Sequence, residues 1–385
     1  MKHPSESLVA LIEQWAHSTM CFAFCRLPGS DDPLLLIQQE GEAEELFALN
    51  ELDGKSGFVF APFQATRVHP IILFHPDHKA AGWEAIEACA RAVPQVCRHH
   101  SADNPPSSET PLEGKAAYEE AFKRFIVALR QGRFSKLVLA RKAVHTLPDG
   151  FKLLEAFQQA CESYPRMFVS LCYTPRTGVW MGSTPEIMLS GSGKDWQTVS
   201  LAGTLPMEGD ALPTGWGMKN REEQAFVSDY IRRELQAFGT IPEEYGPYVV
   251  RAGQVAHLKT EFHFRIEDNS HLGGLLNRLY PTPAVCGLPK EEARCFISET
   301  EHCERSYYSG LVGWIDPMED TRLYVNLRCM HLAGQQATLY AGGGILPSSV
   351  EENEWKETCH KMRTMEALLL QRAPSCRPSG NQDNL

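Results

Sequence analysis

No apolar run approaches the roughly 18 unbroken residues that a membrane-spanning helix needs, which argues against a helical membrane span. The N-terminus, Met1-Lys2-His3-Pro4-Ser5-Glu6-Ser7, lacks the basic-then-apolar layout of a secretory leader, so the expected location is cytoplasmic. Positive charge is in deficit: 37 Lys and Arg face 48 Asp and Glu, for a net charge of −11. That balance disfavours nucleic acid and anionic membranes as partners. It also means that an anionic ligand must be held by local cations against the global field. Cysteines in metal-binding pairs are missing as well. Of the 12 cysteines, Cys21 and Cys25 stand four apart, but no second pair completes a zinc set. The rest are scattered, several within apolar segments, and are expected to be reduced, buried small hydrophobes. No internal repeat is visible.

What is present is an ordinary globular composition, 43% apolar and 22% charged. The 385 residues suffice for one large domain or two ordinary ones. Helices are expected at Leu8–Trp15, Trp83–Val93, Tyr118–Gln131, Leu153–Tyr164, Asn220–Phe238 and Glu351–Leu370, from apolar residues at helical spacing. Strands are expected at Met20–Arg26, Leu34–Gln38, Leu137–Leu139, Met167–Tyr173, Tyr308–Ile315, Arg322–Leu327 and Ala337–Ala341. Ser101–Pro111, rich in Pro and Ser, reads as a linker, and Pro374–Leu385 as a polar, disordered tail. Strands and helices without strict βαβ alternation favour an α+β fold.

Six segments carry candidate chemistry. Lys136 stands at the mouth of the buried Leu137–Leu139 run, where partial desolvation lowers an ammonium pKa toward that of a useful base. The same lysine could equally guard a strand edge. Glu186, between Pro185 and an apolar run, suits a carboxyl that keeps its proton for acid work, or else a solvated loop residue. Gly203, in Leu201-Ala202-Gly203-Thr204, permits close backbone approach to an anionic oxygen. Lys219-Asn220-Arg221-Glu222-Glu223-Gln224 opens a long helix, where acidic residues also suit the helix dipole. Tyr280-Pro281-Thr282-Pro283-Ala284-Val285-Cys286-Gly287 specifies a rigid loop. Finally, Gly342-Gly343-Gly344 reads as a flexible turn before Glu354, Glu357 and Lys361, which share one helical face. Two carboxylates and an ammonium on one stripe fit a magnesium-bound anion, or two ordinary surface charge pairs.

Taken in this order, together with Glu304-Arg305, Tyr308, Gly310, Gly313-Trp314 and Arg328, these segments resemble the chorismate-utilising enzymes, and most closely the isochorismate synthases. The resemblance covers about residues 115–370. It implies two large antiparallel sheets packed face to face, with helices outside and the site at one edge. The implied division is 1–112 as a variable N-terminal part of that unit, 113–371 as the chorismate-binding region and 372–385 as the tail. The implied reaction is Mg²⁺-dependent conversion of chorismate to isochorismate in a monomer. Lys136 matches the base that activates water, and Glu186 the acid that protonates the departing hydroxyl. Glu223, Glu354 and Glu357 match the metal ligands. Gly203, Thr204, Tyr308, Arg328, Gly343 and Lys361 match substrate contacts. Ala202 stands where aminodeoxychorismate synthases carry a nucleophilic lysine, and Lys136 where the ammonia users carry glutamine. Tyr280 and Gln224 depart from the family pattern, which has His at both positions. A salicylate synthase, which adds pyruvate elimination, shares all these motifs, and a non-catalytic chorismate-binding regulator would keep the same cavity.

Overall fold

The computed structural model describes residues 3–93, 114–207 and 209–370. The expected linker at Ser101–Pro111 and the tail from Pro374 lie outside the described residues. Two nine-stranded sheets form the frame. Edge to edge, the first runs Gly287–Leu288, Lys136–Thr146, Gln336–Ile345, Cys329–Ala333, Gly178–Thr184, Phe168–Thr174, Cys21–Arg26, Leu34–Gln38, His78–Ala81. The second runs Glu243–Ala252, Val255–Arg265, Asp195–Pro206, Ile187–Ser192, Asp320–Val325, Leu311–Ile315, Gly57–Ala61, Ile71–Phe74, Glu44–Leu46. The strand pairings are antiparallel. The α+β expectation holds, and strands before residue 93 complete both sheets.

Side-chain alternation explains why so many strands read as unbroken apolar runs. In Cys21–Arg26, Cys21, Ala23 and Cys25 face the layer between the sheets, against Phe58, Phe60 and Ile72 of the opposite sheet. Phe22 and Phe24 face outward, under Trp15 and Phe157 of the covering helices. Both faces are dry, so period-two polarity vanishes. In this strand the small residues face the sister sheet, whose Phe58 and Phe60 fill the layer, and the large aromatics lie beneath the helices. The ten described cysteines are free.

The helices follow their sequence signals. Glu6–Trp15 starts where Ser5 Oγ accepts the Leu8 N–H at 3.3 Å, and it buries Leu8, Val9, Ile12 and Trp15 on one face. Met218–Phe238 ends at Gly239, whose φ of 97° is the left-handed cap that glycine provides. No helix among the described residues is long and apolar enough to cross a membrane.

Three expectations need correction. The short Leu137–Leu139 strand is an eleven-residue strand, Lys136–Thr146, paired along its length with Gln336–Ile345. Its half-exposed second half hides from apolar counting and is held by that ladder. The Gly342–Gly344 turn is no turn; those glycines lie in the ladder opposite Ala140, Leu139 and Val138. The strand expected from Tyr308 begins only at Leu311, because Ser309 takes a left-handed φ of 61°. In addition, the Asp195–Pro206 and Val255–Arg265 strands, paired around the long helix, escape the sequence reading. Their exposed faces carry Lys259, Glu261 and His263, which blur the apolar pattern.

Candidate active site

At one edge of the sandwich a cavity opens where both sheets meet the Met218–Phe238 and Glu351–Leu369 helices. Glu186, Gly203, Thr204, Glu223, Tyr308, Arg328 and Lys361, all singled out in the sequence, line it. Lys136, Gly343, Glu354 and Glu357 are not in its lining but stand in the wall behind. Residues up to 225 positions apart in sequence therefore converge only through the ladder and the two helices.

Lys136 is fully buried, at 0% exposure. Its Nζ lies 3.1 Å from Glu223 Oε1, yet no regular hydrogen bond reaches that nitrogen. Burial pulls its pKa below that of an ordinary lysine, against the opposing pull of Glu223. Glu186 is perturbed in the opposite sense. Burial pushes its carboxyl up to about 7, although Lys136, Lys361 and Arg328 pull it down. A buried amine biased toward neutrality and a carboxyl biased toward protonation form an acid–base pair of the kind that proton-transfer enzymes require.

Gly344 explains how these groups come so close. A Cβ there would lie 2.0 Å from Glu223 Oε1 and 3.0 Å from Lys136 Cε. Only a residue without a side chain lets the glutamate and lysine meet over the strand. Gly203 has a different reason. Its φ of 68° forms a bulge between Ala202 and Thr204, and a Cβ would stand 2.8 Å from the Asn220 carbonyl.

Arg328 is buried, with a left-handed φ of 47°, a strain of about 1–3 kcal/mol for a non-glycine residue. Its guanidinium donates to the Ala252 carbonyl at 3.2 Å and to His257 Nε2 at 2.8 Å. His257 Nδ1 in turn lies 2.9 Å from the Gly203 carbonyl. Burial and the adjacent Arg328 hold His257 down to about 3, so it is neutral. With Nδ1–H donating to Gly203 and Nε2 accepting from Arg328, one tautomer satisfies the whole chain. His257 lines the cavity and was not singled out in the sequence. The only available signal was a histidine among apolar residues of a strand, which by itself reads as core.

Each of the three expected metal-binding glutamates faces a lysine. Glu223 meets Lys136, Glu354 Oε1 meets Lys219 Nζ at 2.5 Å, and Glu357 Oε1 meets Lys361 Nζ at 2.7 Å. Lys361 also donates to the Gly342 carbonyl at 2.9 Å. Among the described residues no three His, Cys, Asp or Glu side chains form a ready metal cluster. Burial raises Glu354 to about 6 despite Lys219. Burial would raise Glu357 as well, but Lys361 and Lys219 outweigh it and hold this carboxyl low.

The two departures from the expected pattern sit outside the cavity lining. Tyr280 is buried, and its hydroxyl donates to the Ser309 carbonyl at 2.7 Å. Gln224 Oε1 accepts the Ala202 N–H at 2.8 Å, and its Nε2 donates to Ser200 Oγ at 2.7 Å. Both tie loops and helix to the sheet.

A double antiparallel sandwich with a buried lysine, a buried glutamate biased toward its protonated form and a buried arginine at its edge defines the class of protein by fold and site. The chain belongs to the chorismate-binding enzyme family, whose model matches residues 71–370. It is 31% identical over 254 residues to the salicylate biosynthesis isochorismate synthase of Pseudomonas aeruginosa, covering 63% of this chain and 52% of that protein. It is 28% identical over 273 residues to isochorismate synthase DhbC of Bacillus subtilis, covering 66% of this chain and 68% of that protein. The match thus spans about half the length of the Pseudomonas relative. In fold, it superposes on MenF, the menaquinone-specific isochorismate synthase of Escherichia coli, with a TM-score of 0.73 at 22% identity, covering 94% of this chain and 91% of that one.

Proposed function

We propose that the protein is an isochorismate synthase. The observation that carries this reading is the opposed perturbation of Lys136 and Glu186 beside one cavity. Lys136, in its neutral form, removes a proton from water as the water oxygen attacks C2 of chorismate. The two ring double bonds shift, the C4–O bond breaks, and Glu186 gives its proton to the departing hydroxyl. One water enters and one leaves, so the reaction is an isomerisation. Arg328, held by His257, supplies a fixed fork for a substrate carboxylate. Tyr308 and the Gly203–Thr204 bulge shape the opposite wall, and Lys361 adds local positive charge.

The acidic wall fits Mg²⁺. Glu354 Oε2 is buried without a hydrogen-bond partner, a hard oxygen donor left free. It and Glu357 Oε1 both come within 4 Å of the same point above Gly343, at 3.9 and 3.3 Å. Glu223, Glu354 and Glu357 would hold the ion, which when bound neutralises the repulsion between these carboxylates and the substrate. Lys219 and Lys361 pair with Glu354 and Glu357 beside this wall.

Purified protein with chorismate and Mg²⁺ should form isochorismate; no product under these conditions would end the reading. The name of the Pseudomonas relative gives weight to one alternative, a salicylate synthase. Release of pyruvate and salicylate at the rate of chorismate loss would select it.

A further inference from the structure

A second cavity, of about 490 Å³, shares no lining residue with the first. It lies between the first turns of the Gly114–Arg130 helix, the outer half of the Lys136–Thr146 strand and Trp355 of the C-terminal helix. Its ionisable lining is basic, while Glu354, Glu357 and Glu301 act on Tyr118 from outside that lining. Lys115, Arg141, Lys142 and His302 line it, and no acidic residue does. On a chain of net charge −11, such a lining opposes the global field.

Two of these cations are already engaged: Lys115 meets Glu352 at 2.8 Å, and His302 meets Glu120 at 3.6 Å. Among the described residues, Arg141 and Lys142 have no carboxylate within 4.0 Å. Arg141 is nonetheless held in place. Its Nε donates to Thr358 Oγ1 at 2.6 Å, and its guanidinium lies 4.0 Å from the Trp355 ring centre. One terminal nitrogen donates to Cys359 Sγ at 3.2 Å; among the described residues the other has no hydrogen-bond partner and is left for another acceptor. Tyr118, 2% exposed and also in the lining, carries a hydroxyl with no partner. A buried, unpaired hydroxyl is unfavourable, and an incoming oxygen acceptor would satisfy it. The helix bearing Tyr118 has no acidic residue in its first described turn. The remaining lining includes Trp355, Ala117, Ala121, Ala140 and Ala143, which give the cavity apolar surface.

We infer that this cavity is a binding site for a small planar carboxylate, with its anionic group at Arg141, Lys142 and Tyr118 and its ring against Trp355. Inorganic phosphate satisfies the cations but leaves the alanine and tryptophan surface without a partner. A neutral aromatic molecule does the reverse. Occupancy would bear on Trp355, whose neighbour in the helix is Glu354.

Benzoate is the minimal probe, titrated into the full chain by calorimetry, with benzyl alcohol as the uncharged comparison. Saturable benzoate binding is expected, weakened about tenfold or more in Lys142→Gln and in Arg141→Gln, and unchanged in Arg328→Gln. Benzyl alcohol should bind at least about tenfold more weakly. Among the described residues Lys142 makes no ion pair within 4.0 Å and acts on Glu304 only at longer range, so its variant is decisive even if Arg141→Gln is unstable. The inference is overturned by absence of saturable binding up to about 10 mM, by unchanged affinity in Lys142→Gln, by equal binding of benzyl alcohol, or by loss in Arg328→Gln, which would put the probe in the central cavity.

Discussion

Replacing Glu186 with glutamine should make the protein less active and, at alkaline pH, more stable. Burial raises this carboxyl from 4.5 to about 7, which corresponds to about 3 kcal/mol of preference for the neutral acid. In the unfolded chain the group titrates near its ordinary value. Well below that value both states hold the proton, and the site costs nothing. As pH rises from about 4.5 to about 7, the unfolded chain releases the proton while the folded chain keeps it, so stability falls across this window. Above it, the folded protein carries a buried carboxylate at the full cost. Glutamine has the same shape and never ionises. Urea unfolding midpoints for wild type and Glu186→Gln should therefore differ by about 2–3 kcal/mol in favour of the variant at pH 8.5, shrinking to about 1 kcal/mol or less near pH 5. Turnover should drop about 10²–10⁴-fold, because the leaving hydroxyl loses its acid. A stability difference that is the same at both pH values, or a variant less stable at pH 8.5, would refute the assignment of Glu186 as the buried, proton-retaining acid.

Lys136→Ala should abolish isochorismate formation while circular dichroism remains that of the wild type; turnover persisting within tenfold removes Lys136 from the role of base. His257→Gln should raise KM for chorismate more than it lowers kcat, because it loosens Arg328. The pH–rate profile of the wild type should carry no histidine limb between pH 5 and 8, since His257 stays neutral far below that range. Gly344→Ala should eliminate activity more completely than Gly342→Ala, because its Cβ would meet Glu223 at 2.0 Å; equal activities would show that this contact is dispensable. Glu357→Gln should shift half-saturation by Mg²⁺ upward, read by titration calorimetry as well as by rate, and an unchanged titration would return Glu357 to a simple ion pair with Lys361.

Much of the site is legible in the sequence because its chemistry sits in short ordered segments with distinctive residue types. Glu186 after Pro185, Gly203 before Thr204, and Glu357 four before Lys361 can each be noticed without a structure. Other features are invisible for definite reasons. His257 looks like a core residue until its two ring nitrogens are seen between Gly203 and Arg328. Gly342–Gly344 looks like a turn because glycine usually marks one, whereas here it clears a strand for Glu223 and Lys136. Lys219 gives no sign that its partner is Glu354, 135 residues away.

The sequence by itself determined the class of fold, most of the helices, the buried runs and the identity of the groups that can exchange protons or bind carboxylates. These follow from local periodicity and residue chemistry, which act over a few positions. The tertiary structure alone decided which of those groups are dry. Whether Lys136 is an edge lysine or a base, and Glu186 a loop carboxylate or an acid, depends on desolvation by two sheets closing over them. That is a long-range property which no spacing encodes.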